Sequence, residues 1–162
     1  MVNLDVIKDK KILLVDDEPD ILQVAKELLS TSQITTCSTF DCALDSISKD
    51  SFDLIILDIM GVNGFALLEA SKKRKMPAAM LTAHALNIES LNLSIRLGAI
   101  SFIPKEELEK LPTLVAEIFE DLEQGKTHWN RLFERFGGFF KEKLGTLWEE
   151  VEKPATHPPF YE

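Results

Sequence analysis

Apolar residues cluster early in the chain and then stop abruptly at acid. Lys11-Ile12-Leu13-Leu14-Val15 leads into Asp16-Asp17-Glu18, and Leu54-Ile55-Ile56-Leu57 leads into Asp58. Short unalternated runs of Ile, Leu and Val are typical of strands buried on both faces of a parallel sheet. Residues 11–15 and 53–57 therefore read as strands. So do residues 33–37, where β-branched side chains favour extended backbone, and residues 77–81 and 100–103. Between them, apolar positions recur at helical spacing. Ile21, Leu22, Val24, Ala25, Leu28 and Leu29 follow Pro19, whose missing N–H is harmless at a helix start. Phe40, Ala43, Leu44 and Ile47 mark a second helix, and Phe65 to Ala70 open a third. Residues 86–97 and 106–123 form the fourth and fifth, with Gly98 a stop signal after the fourth. Five strands alternating with five helices predict an α/β fold, a doubly wound five-stranded parallel sheet joined by right-handed crossovers.

That topology gives the acidic residues a place. Ligands of an open parallel sheet bind beyond the carboxyl ends of its strands. Asp16 and Asp17 leave the first strand there, Asp58 the third and Thr82 the fourth, and Lys105 follows the fifth. A lone Asp after a strand is usually a cap or turn residue. An acid pair, a single Asp, a hydroxyl and a Lys at successive strand ends point instead to one site. Clustered carboxylates repel one another, and a hard cation with oxygen ligands such as Mg2+ relieves that repulsion. An oxygen nucleophile beside such a metal suits phosphoryl transfer.

Across residues 9–124 the sequence resembles the receiver domain of two-component response regulators. The resemblance rests on Val15-Asp16-Asp17-Glu18, Leu57-Asp58-Ile59-Met60, Leu81-Thr82-Ala83 and Phe102-Ile103-Pro104-Lys105. It implies a flavodoxin-like sheet of strand order 2-1-3-4-5. It implies that Asp58 is a phosphoacceptor, and that Asp16, Asp17, Asp58 and the backbone carbonyl of Met60 hold Mg2+, with Asp16 acting through a metal-bound water. Lys105 and Thr82 would bind phosphoryl oxygens, and Thr82 and Phe102 would couple phosphorylation to the face of the fourth helix, fifth strand and fifth helix. The implied partner is a sensor histidine kinase or phosphotransfer protein. His84, two positions after Thr82, lies where receivers tune acyl-phosphate lifetime. The chain departs from the family in two places: the loop after Asp58 reaches Gly64 in six residues without a Pro, and Glu106 rather than Pro follows Lys105.

The net charge of −9 argues against a basic nucleic-acid-binding face, so no nucleic-acid partner is expected. The Lys72-Lys73-Arg74-Lys75 cluster is accounted for by the dipole at a helix C-terminus. Cys37 and Cys42 carry no metal-type spacing with His and are expected to be reduced thiols. The first residues lack the basic and apolar regions of a signal peptide, and no apolar run reaches the roughly 20 residues of a membrane span. A cytoplasmic location follows as an expectation.

Residues 125–153 form an amphipathic helical extension. Trp129, Leu132, Phe133, Phe136, Phe140, Leu144, Leu147, Trp148 and Val151 recur every three or four positions and line one stripe. Gly137-Gly138 would weaken this helix or mark a kink. The stripe needs a cover, and three candidates stand: the chain's own receiver domain, a second copy in a homodimer through residues 127–151, or a different surface. A membrane is disfavoured because residues 126–153 carry six Lys/Arg against five Asp/Glu, without the basic excess of membrane-surface helices. The Pro-rich residues 154–162 are expected to be extended or disordered.

The reading is a phosphoaccepting signalling protein that acts by protein–protein contact with no DNA-binding output. It is not an enzyme beyond its own phosphorylation and dephosphorylation. The alternative is a phosphorylation-independent scaffold on a receiver fold. A metal-dependent hydrolase would need a cap or a further acid for which the chain has no room.

Overall fold

The computed structural model describes residues 2–83 and 86–160. Five strands, β1 (Lys11–Val15), β2 (Gln33–Cys37), β3 (Leu54–Asp58), β4 (Ala78–Thr82) and β5 (Ser101–Pro104), form one parallel sheet in the order β2-β1-β3-β4-β5. The unalternated runs behave as their composition demands: β3, β4 and β5 are buried along their whole length, while β2, at one edge, is largely exposed. The expected α/β class, strand order and parallel sheet are all observed. Strand boundaries differ from the sequence reading by a single residue in β3, β4 and β5.

Helices α1 (Pro19–Leu28), α2 (Phe40–Lys49), α3 (Gly64–Lys73), α4 (Ile88–Arg96) and α5 (Leu111–Glu123) make the crossovers. Their starts are chemically marked. Thr39 accepts from the Cys42 N–H, Asn87 accepts from the Ser90 N–H, and Pro19 stands in the first turn of α1. The fifth helix is shorter than expected. Residues 105–110 form a 3-10 turn with a non-helical Glu107, and α5 proper begins at Leu111 beside Pro112. Pro112 has no N–H to give an interior helical bond, so the α-helix restarts there. His84 lies outside the described residues.

The extension settles the question of its cover. Helix α6 (Trp129–Leu144) is a 16-residue helix running through Gly137-Gly138 without a break, followed by a 3-10 turn over Gly145–Glu150. Its stripe packs on its own receiver domain: Trp129, Leu132, Phe136, Phe140 and Leu144 are buried. Of the three covers weighed for the stripe, the chain's own receiver domain is the one observed, and the side chains that a homodimer through residues 127–151 could have used are buried within the chain. Phe102 lies under Trp129 and Phe140 at ring centroid separations of 6.4 and 6.2 Å, and Phe133 and Trp148 complete the aromatic group. Because β5 is an edge strand, its outer side would otherwise face solvent, and α6 shields it. Residues 154–160, expected to be extended or disordered, form no helix or strand but are fastened to the chain. The Thr127 N–H donates to the Thr156 carbonyl at 2.9 Å, the Thr127 hydroxyl donates to the Ala155 carbonyl at 2.8 Å, and Pro158 is buried. Cys37 and Cys42 are joined as a disulfide, not held as the expected free thiols, because the turn from β2 into α2 brings their Cα atoms to 5.6 Å.

Candidate functional site

The parallel register decides which residues meet. Val15 pairs with Leu57, Asp58 with Leu81, and Thr82 with Pro104, so the carboxyl ends of β1, β3, β4 and β5 are level. Asp16 continues β1, where its N–H donates to the Cys37 carbonyl at 3.1 Å. Asp58 ends β3, and Lys105 emerges just past β5. Asp16, Asp58 and Thr82 are buried.

Lys105 sits at the centre. Its ammonium lies 2.8 Å from Asp16 Oδ2, 2.9 Å from Glu18 Oε1 and 3.2 Å from Asp58 Oδ1. Burial alone would lower the Lys105 pKa, but its bonds to Asp16 and Glu18 outweigh that and raise it, so the charge is secure. At Asp16 burial wins instead, pushing the carboxyl up despite Lys105 and the Glu18 N–H, which donates to Asp16 Oδ1 at 2.9 Å. Asp58 presents Oδ1 to Lys105, and its Oδ2 accepts the Gly61 N–H at 3.1 Å.

The loop after Asp58 is a tight return. Gly64 N–H donates to the Ile59 carbonyl at 3.0 Å, Asn63 is left-handed with φ of 53°, and a Cβ on Gly64 would collide with the Asp58 carbonyl. At Gly61 a Cβ would strike the Asp17 carboxylate. Two glycines thus allow the shortened loop to close down on both the acceptor strand and the acid pair.

Ligand oxygens of Asp16, Asp17 and Glu18 lie within 4.8 Å of one another, one carboxylate buried and two exposed. An all-oxygen set open to solvent on one side fits a hard divalent cation that keeps several waters. Of the residues expected from sequence to hold Mg2+, Asp16 and Asp17 fall in this group, and Asp58 is held by Lys105 and the Gly61 N–H. Met60, expected to contribute its backbone carbonyl, is 81% exposed. Thr82 stands on the same edge, its hydroxyl making a long 3.5 Å approach to the Ala83 carbonyl. Phe102 lies away from the acids, under α6. Sequence reasoning overlooked Glu18 as a partner of Lys105 and Gly61 as the spacer against Asp17. The acidic triplet pointed to the first, whereas the second depends on how the loop folds back.

Comparisons with known proteins show what the chain is similar to. The response regulator receiver domain family matches residues 12–117. The transcriptional regulatory protein CpxR of Escherichia coli K12 is 35% identical over 125 residues, covering 74% of this chain and 51% of that protein. The transcriptional activator protein PfeR of Pseudomonas aeruginosa is 31% identical over 104 residues, covering 61% of this chain and 34% of its own length. The chain thus spans about half the length of CpxR and less of PfeR. Among solved structures, a CheY-like receiver domain protein from Methanospirillum hungatei JF-1 superposes with a TM-score of 0.65 at 29% identity, covering 71% of this chain and 97% of that one. The receiver domain of NtrX from Brucella abortus does so with a TM-score of 0.59 at 37% identity, covering 67% and 96%.

Proposed function

The chain belongs to the response regulator receiver family and hence to two-component signalling, and from that premise we propose that Asp58 is its phosphoacceptor. The observation that carries this reading is the pairing of a buried Asp58 carboxylate with Lys105 at 3.2 Å, beside an acidic group suited to a divalent cation. The donor is the phosphohistidine of a sensor histidine kinase or phosphotransfer protein.

One carboxylate oxygen of Asp58 attacks phosphorus as the phosphorus–nitrogen bond to the donor histidine breaks, giving an acyl phosphate. The Gly61 N–H on Oδ2 orients the carboxylate. Lys105 follows the new charge, exchanging part of its contact with Asp16 and Glu18 for a phosphoryl oxygen. Thr82, with no short hydrogen bond to give up among the described residues, donates its hydroxyl to another. Asp16, Asp17 and the Met60 carbonyl, with Asp58, would hold Mg2+. When bound, that ion neutralises charge on the equatorial oxygens.

The consequence is a change in protein contacts in the cytoplasm, not turnover of a substrate. CpxR is a transcriptional regulatory protein and PfeR a transcriptional activator, but this chain matches only part of each. A DNA-binding output is not part of this proposal. No helix among the described residues is long and apolar enough to cross a membrane. The alternative, a scaffold indifferent to phosphate, draws support from the shortened loop after Asp58.

Intact mass after acetyl phosphate and Mg2+ tests the proposal. The expected result is a gain of one phosphoryl group in wild type and none in Asp58→Ala. No gain, together with no beryllofluoride adduct, would overturn it in favour of the scaffold.

A further inference from the structure

The extension is fastened to the residues that lead directly to Lys105. The Ala99 carbonyl accepts the Trp129 indole N–H at 2.8 Å, and the Ile100 carbonyl accepts the His128 backbone N–H at 2.9 Å. Ser101 Oγ lies 2.6 Å from His128 Nδ1, and Phe102 packs under Trp129 and Phe140. The 3-10 turn that begins at Lys105 also touches α6: Glu106 pairs with Lys143 at 3.7 Å, and the Lys110 ammonium stands 5.4 Å from the Phe136 ring. On either side, Asn92 of α4 donates to the Glu150 carbonyl at 3.0 Å and accepts the Glu152 N–H at 2.8 Å, while Glu117 of α5 is held by His128 and Arg135. One continuous stretch, residues 99–110, therefore carries the cation of the acid pocket in its middle and the anchors of α6 on both sides.

We propose that α6 is a built-in latch over the α4–β5–α5 surface, opened when Lys105 is drawn to a phosphoryl group on Asp58. This rests on the phosphoacceptor reading above. Lys105 is now shared among three carboxylates. An acyl phosphate adds about 1.5 to 2 negative charges at one of them and redistributes that sharing. The 105–110 turn and the end of β5 move with Lys105. The Glu106–Lys143 and Lys110–Phe136 contacts and the Phe102 seat are the first to feel it. The surface uncovered is the one α6 now occupies, so no partner can use it while the latch is shut.

The chain reports on its own latch, because its two tryptophans, Trp129 and Trp148, both lie in the extension. The 162-residue chain is treated with acetyl phosphate or beryllofluoride and Mg2+. Intact mass measures loading, and tryptophan emission and amide exchange in residues 129–144 measure the latch. The expected result is a red shift of emission and exchange in α6 faster by at least about tenfold. By reciprocity, Phe140→Leu, which loosens the latch without touching the pocket, is red-shifted before any donor is added and reaches a higher loaded fraction at limiting acetyl phosphate. Full loading with unchanged emission and exchange overturns the latch and leaves the phosphoacceptor reading intact. Absence of loading overturns both.

Discussion

At the scale of single residues, the site depends on side chains that are small as much as on those that are charged. Gly61 gives its N–H to Asp58 while its missing Cβ leaves room for the Asp17 carboxylate. Gly61→Ala is expected to push Asp17 aside and weaken Mg2+ binding by about tenfold, the usual scale for disturbing a ligand's support. Because the loop is exposed, the fold should survive. Calorimetric titration with Mg2+ tests this, and an unchanged affinity would refute the role given to Gly61. The charged members of the site were legible in the sequence because parallel strands bring their ends to one edge. Gly61 was not, because a loop's return path leaves no periodic trace, and the acidic triplet displayed Glu18 without showing that its flexible carboxylate reaches Lys105.

At the scale of elements, α6 carries two tests. Gly137 and Gly138 lie inside an unbroken helix, and a Cβ at either position meets nothing within 4 Å. The sequence suggested a kink or break there, but the helix continues through the pair, which buried Phe136 and Phe140 flank. Gly138→Ala should stabilise the protein by about 1 kcal/mol, raising the melting temperature by about 2–4 °C. A lower melting temperature would mean that the glycine serves a close approach absent from this structure. The second test is of pH. Burial pushes the Glu117 carboxyl up, but hydrogen bonds from His128 and Arg135 outweigh it and hold its pKa below the usual 4.5. A carboxylate lowered on folding contributes stability that is complete above its unfolded value and is lost as pH falls through the folded one. Nearby Asp121, raised mainly by burial, has the opposite slope. Melting curves of wild type and Glu117→Gln should therefore converge as pH falls below about 4.5; parallel curves would count against the network. Helical spacing revealed the stripe of α6 but could not place its partner, since an amphipathic face fits a sister chain as well as its own core.

At the scale of the whole molecule, an edge strand and an apolar helix cancel each other's liabilities. Without α6, β5 would present Phe102 and an open edge, and α6 alone would present Trp129, Phe136 and Phe140. Their union leaves Leu147 as the only strongly exposed large apolar side chain of the extension among the described residues. The 162-residue chain should accordingly run as a monomer of 18.3 kDa by light scattering. Phe140 touches Phe102, Phe133, Phe139 and Trp148, so Phe140→Ala removes the hub of the aromatic group. Such a truncation costs about 3–5 kcal/mol when the whole fold bears it. Here the five-stranded sheet has its own core, so the loss falls first on the extension. The expected outcome is a variant that keeps its sheet by circular dichroism, loses its tryptophan signal at lower temperature than its dichroism, and gains mass with concentration as uncovered edges pair. Coincident transitions and a constant monomer mass would mean instead that α6 and the sheet form one cooperative unit.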